Sequence, residues 1–151
     1  MSNRERQLDV ARFLAVLVCI VAFSSCNQPP QSRPADSEFV GDWGVPPSDL
    51  TLVKQYFKCR VQDCKLTLRP NGVCEAKNVP LVHTSAEGRL EYLCRTRSGT
   101  WRVEKKQFWI LTLLFDNSGY SFEVHERGRG FELVEFFVDP DNASYRLVKL
   151  Q

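Results

Sequence analysis

The sequence is poor in the residues that carry most chemistry. Its only histidines are two, His83 and His125. There is no G-x-S-x-G elbow to present a nucleophile. Nor is there a second cysteine pair at the spacing of about two to four residues that a structural zinc site favours. No charge of one sign dominates: 20 Lys and Arg stand against 18 Asp and Glu, a net charge of +2. Nucleic acid is therefore not an expected partner, since its recognition needs a clustered basic face. No apolar run reaches the roughly 20 residues of a membrane-crossing helix, and no helix of ordinary length is legible.

What is present begins with a leader. Residues 1–12 carry Arg4, Arg6 and Arg12 against Glu5 and Asp9, and Phe13 to Phe23 (FLAVLVCIVAF) is an uninterrupted apolar stretch. A basic opening, an apolar segment of about 7–15 residues and small residues at the cut make a secretory signal. The closing FSSC, Phe23 to Cys26, resembles the bacterial lipobox, in which two small residues precede an invariant cysteine. In that family the thiol receives a diacylglycerol, the chain is cut before the cysteine, and the new amine is acylated. The resemblance implies a lipoprotein signal peptide over residues 1–25 and lipidation of Cys26. With Asn27 following, it implies an outer-membrane anchor facing the periplasm of a bacterial envelope. Several acyl chains hold a membrane where one binds marginally, so the membrane is an expected partner through this anchor. An ordinary signal peptide cut nearby is the rival reading. Residues 26–38 then form the lipidated cysteine and a flexible tether, because Asn27 to Glu38 (NQPPQSRPADSE) is polar and proline-rich.

From Phe39 onward the pattern changes to short alternating runs with turn residues between them. Leu66 and Leu68 alternate with Lys65, Thr67 and Arg69. Pro70-Asn71-Gly72 then suits a type I turn followed by a left-handed glycine. Trp101 and Val103 lead to a Glu-Lys-Lys turn, and Phe108 to Phe115 forms an apolar strand. Tyr120, Phe122 and Val124 share one face, with Ser121, Glu123 and His125 on the other. FELVEFFV and SYRLVKL complete the set, and FVGDWGV opens it. Ser48 is placed to cap a helical turn in PPSDLTLVKQYF, which otherwise reads as an irregular connection. The expectation is an all-β domain over residues 39–151: an antiparallel meander of about eight strands closing into a small barrel or strongly curved sheet.

Cys19 falls in the leader, so Cys59, Cys64, Cys74 and Cys94 remain as disulfide candidates in an exported domain. Within the hairpin Leu68 faces Cys74 and Cys64 faces Asn78. Cys64 and Cys74 then stand about 13 Å apart at roughly 3.3 Å per residue, beyond the reach of about 7 Å for a disulfide. That disfavours Cys64–Cys74 and its complement Cys59–Cys94. Cys59–Cys64 with Cys74–Cys94, and Cys59–Cys74 with Cys64–Cys94, both stay open.

Candidate chemistry is thin. His125, flanked by Glu123 and Glu126, has the makings of a base with an orienting carboxylate, but no nucleophile motif accompanies it and a solvated face is the better reading. His83 reads as a loop residue. Glu132 and Glu135 fall on opposite strand faces, which removes them as the paired carboxylates of a glycosidase. The segment DPDNA reads as a turn, lacking the spaced ligands of a calcium loop. No catalytic residue, metal or cofactor is expected. Trp43, Trp101, Trp109 and ten phenylalanines either line a ligand cavity or fill the barrel. At this size filling is favoured.

Taken together, LTLRPNGVC (66–74), KNVP (77–80), SGTWRV (98–103), WILTLLF (109–115) and VDPDNASYRLVK (138–149) resemble a family of small bacterial lipoproteins and exported proteins. The likeness covers roughly residues 39–150. It implies a calycin-like barrel, with Asp139 and Asp141 in a structural turn, and brings no activity with it. The functional expectation is a lipid-anchored, non-enzymatic binding or interaction module with an envelope protein as partner. The alternative is a carrier of a small apolar ligand.

Overall fold

The computed structural model describes Pro30 and residues 32–58, 60–85, 87–116, 118–136 and 143–151. The leader, Cys19, Cys26, Cys59 and most of DPDNA lie outside the described residues.

Alternation does what the sequence leads one to expect. Eight antiparallel strands follow one another in chain order around a closed barrel. They are β1 (Gly41–Gly44), β2 (Lys65–Leu68), β3 (Val73–Thr84) and β4 (Leu90–Lys105), then β5 (Trp109–Phe115), β6 (Ser118–Arg127), β7 (Gly130–Phe136) and β8 (Ser144–Lys149). Trp43 pairs with Lys149 and Gly44 with Val148, which closes the last strand onto the first. Inward positions carry apolar side chains: Leu66 pairs with Ala76, Leu111 with Phe122 and Leu133 with Leu147, all buried. The Pro70-Asn71-Gly72 turn forms as the sequence predicts. Gly72 takes φ +76°, and Arg69 and Val73 are joined by a backbone hydrogen bond of 2.9 Å.

Both ends of the barrel are packed with rings. At one, Phe39 stacks on Phe131 at 5.6 Å and lies 6.3 Å from both Trp43 and Trp101. The indole N–H of Trp43 donates to the Phe39 carbonyl at 2.7 Å, and that of Trp101 to Arg69 at 2.9 Å, so neither buried donor is left unsatisfied. Phe39 does not begin a strand. It ends a one-turn helix, α1 (Asp36–Phe39), whose start is braced by the Glu38 carboxylate accepting from the Ala35 N–H at 2.7 Å. Residues 36–38, read as tether, thus belong to that helix.

At the other end Phe57 meets Tyr145 and Tyr92 edge-on at 5.9 and 5.4 Å. Phe57 follows α2 (Leu50–Tyr56), and a 3-10 turn (Val61–Asp63) leads on into β2. Ser48 does not cap α2. The preceding residue is Asp49, and its carboxylate is taken by Arg146 of β8.

Strands β3 and β4 outrun their neighbours. β2 pairs with β3 only as far as Lys77, and β5 pairs with β4 only from Thr100. Beyond those points β3 and β4 continue as a hairpin, after a bulge between Ala76 and Val79 where Asn78 takes φ +50°. A bulge bends its strand, and here it turns the hairpin toward β6: His83 comes within 6.2 Å of the Tyr120 ring, with Val79 and Leu81 fully buried beneath. His83 is therefore a strand residue, not a loop residue. The other departure is the turn after β4, which falls at 106–108 with Lys106 bonded to the Phe108 carbonyl. Lys105 opposite Trp109 fixes that register, with its ammonium 4.9 Å from the indole ring centre.

Candidate functional site

The bulge that bends β3 also shapes the outer wall. Where β3 turns away from β2, a polar groove of about 550 Å³ opens over β2, β3 and β4. Its walls carry Lys65, Lys77, Arg97, Glu75 and the hydroxyls of Thr67, Thr96 and Ser98. The rows are set by register, with Lys65 opposite Lys77 and Thr67 opposite Glu75, itself opposite Ser98. Thr96 is fixed by accepting the Asn78 N–H at 3.2 Å.

Three of the charges are tied from outside the groove. Asp42 bridges Lys65 at 2.8 Å and accepts from Thr67 at 2.6 Å. Those two hydrogen bonds hold its carboxyl below the usual range. Arg69 holds Glu75 at 2.8 Å, and Asp116 holds Arg97 at 3.0 Å. Lys77 has no ion pair among the described residues.

A second polar cluster lies inside the barrel. Glu135 of β7 faces Tyr145 of β8, and the Tyr145 hydroxyl donates to the Pro80 carbonyl of β3. Burial pushes the Glu135 carboxyl up to about 8. It also raises the Tyr145 hydroxyl far above its ordinary value, with Glu135 and Cys64 adding to the effect. One carboxyl oxygen of Glu135 is buried without a hydrogen-bond partner among the described residues.

A third cluster sits on the outer wall of β6, β7 and β8. Glu132, only 1 % exposed, takes Arg127 at 3.1 Å and Arg146 at 3.6 Å. Arg146 reaches on to Asp49 at 2.6 Å. Burial opposes ionisation of Asp49, but the bonds from Arg146 and Ser48 outweigh it and hold the carboxyl below its usual value. This network fastens the segment before α2 to β8. Glu132 and Glu135 are on opposite faces, as strand parity requires. His125 lies beside the cluster, 3.1 Å from Glu123 and with Phe136 against its ring. It has the orienting carboxylate of a base, but its pairing is within one strand on the outer wall. Among the described residues no three His, Cys, Asp or Glu side chains gather as a metal site needs.

Two of the four disulfide candidates do not pair. Cys64 and Cys74 are free thiols, so both pairings left open by the sequence fail. Each lies in the apolar core against backbone, Cys64 beside Val45 and Cys74 beside Gly99. Burial pushes their thiols up to about 12 and about 11. The separation argued between them from hairpin register holds, with Leu68 opposite Cys74. What fails is the premise that all four candidates pair. Cys94 is a half-cystine whose partner lies outside the described residues, as do Cys59 and Cys26.

The groove was not legible in the sequence. Its one local signal is Asn78 in KNVP, a residue type that tolerates the left-handed bulge position. Comparison with known protein families, curated proteins and solved structures returns no match.

Proposed function

We propose that this chain is a lipid-anchored protein of the bacterial cell envelope, held through Cys26, whose barrel is a non-enzymatic binding or interaction module. The observation that carries the reading is where the barrel keeps its polar concavity. Among the described residues the interior carries large side chains, with Trp43, Phe57, Phe115, Phe122 and Tyr145 fully buried, while the polar groove lies on the outer wall. That distribution supports recognition at the surface over carriage of an apolar ligand inside, which a barrel of this size achieves only when its interior stays open. The reading places the chain with the small exported bacterial β-domains that its hairpin and turn motifs resemble.

Export also accounts for the half-cystine at Cys94. With Cys64 and Cys74 free, Cys59 is the thiol that remains for it on the mature domain. The Phe57–Tyr92 ring contact at 5.4 Å brings the two chain segments together two residues from each cysteine.

The test is capture of the tagged full-length protein from native envelope, with mass spectrometry of bound proteins and bound small molecules. A specific envelope component lost when groove residues are charge-reversed supports the module. Recovery of an apolar small molecule, unaffected by those changes, would favour the carrier.

A further inference from the structure

We infer that the outer groove is a seat for a phosphoryl group on a hydroxylated carrier, either a free sugar- or glycerol-phosphate or a lipid headgroup of the same chemistry. The inference deepens the module reading by naming the class of ligand its surface would take.

Lys65 and Lys77 stand directly opposite one another on adjacent strands, on the same outer face. Like charges in that position lie roughly 5 Å apart at Cβ and cost stability. Asp42 compensates Lys65 at 2.8 Å, and no described carboxylate compensates Lys77. An anion between the two ammonium groups would convert the repulsion into charge-assisted contacts. A phosphomonoester, at about −1.5 to −2 charges near neutral pH, brings enough charge to engage Lys77 and to share Lys65 with Asp42.

The rest of the groove specifies the carrier. Thr67, Thr96 and Ser98 offer hydroxyls beside the lysines, and Glu75, the one carboxylate among the lining residues, is an acceptor that repels an anion but receives hydroxyl groups. Glu75 is paired with Arg69 at 2.8 Å and Arg97 with Asp116 at 3.0 Å, which leaves Lys77 as the lining cation without an ion pair among the described residues. A volume of about 550 Å³ is within the span of small-molecule sites, roughly 300–1,000 Å³. Among the described residues no aromatic ring lines this groove, which disfavours a neutral sugar held by stacking.

Calorimetry on the full-length protein in detergent tests the assignment. The free arm titrates glycerol 3-phosphate against glycerol; the lipid arm titrates dihexanoyl phosphatidylinositol 4-phosphate, whose headgroup carries a phosphomonoester, against dihexanoyl phosphatidylinositol. Binding in at least one arm is expected, weakened about tenfold or more by Lys77→Glu, which replaces attraction by repulsion. Lys106→Glu, the same charge change in the turn beyond β4, leaves it unaltered. Lys77→Ala loses affinity yet melts no lower than wild type, because it removes a like-charge pair; a purely structural lysine would melt lower. Binding in neither arm, or binding indifferent to Lys77, overturns the proposal. If neither arm binds while Lys77→Glu still releases an envelope partner in the capture experiment, the phosphoryl assignment falls and the module reading stands.

Discussion

Glu135 of β7 and Tyr145 of β8 face each other inside the barrel, both buried, and Tyr145 ties β8 to the Pro80 carbonyl of β3. The pair sets a polar joint in an apolar core, where a carboxylate is expensive and a neutral acid is not.

The pH dependence of stability follows from this joint. The Glu135 carboxyl is raised from 4.5 to about 8 in the folded chain. Between those values the folded state retains a proton that the unfolded state has lost, so stability falls as pH rises through this window and levels above it. Glu135→Gln keeps the shape without the charge. Urea unfolding from pH 5 to pH 9 should show wild-type stability declining by an amount on the order of a few kcal/mol and the variant nearly flat over the same range. Equal slopes in the two proteins would show that Glu135 ionises freely in the native state.

A close approach of β4 and β5 leaves no room for a side chain at Gly99. A Cβ there would collide with the Leu114 carbonyl oxygen and stand 2.6 Å from the Phe115 ring. Gly99→Ala should cost about 1–3 kcal/mol, the usual range for overpacking. Gly130→Ala, where a Cβ meets nothing within 4 Å, should change stability by no more than about 0.5 kcal/mol. Thermal melts of the two variants side by side decide this, and equal losses would contradict it.

Much of this packing was legible and some was not. Period-two alternation through Leu66–Leu68, Tyr120–Val124 and the strands after them specifies a barrel, because one buried face per strand leaves little other choice. Pro70-Asn71-Gly72 fixes its own turn through local backbone preference. The hairpin extension carrying His83 was hidden, since a strand that bends at a bulge and ends in Thr84, with Ser85 after it, has the composition of a loop. Asp49 and Arg146 are 97 residues apart, and no local pattern announces a salt bridge between them. The groove was invisible for the same reason: its lysines are ordinary solvent-facing residues until register sets them opposite one another.

The two free thiols give a chemical check on the core. Burial holds Cys64 and Cys74 protonated, at about 12 and about 11, and thiolate is the reactive form. Iodoacetamide at pH 8 should leave both unlabelled in the native protein and label both in urea without reductant. Peptide mapping of the same sample should find Cys94 linked to Cys59. Rapid native labelling of Cys74 would mean that the barrel interior opens far more readily than its packing predicts.

Whether Cys26 anchors the chain is read by fractionating cells that express the wild type or Cys26→Ser. Wild-type protein should remain in the membrane fraction, resistant to salt and alkali, and the variant should be absent from it with an unchanged thermal melt of the barrel. A Cys26→Ser variant retained in the membrane as firmly as wild type would show that something other than lipidation of Cys26 holds the chain there.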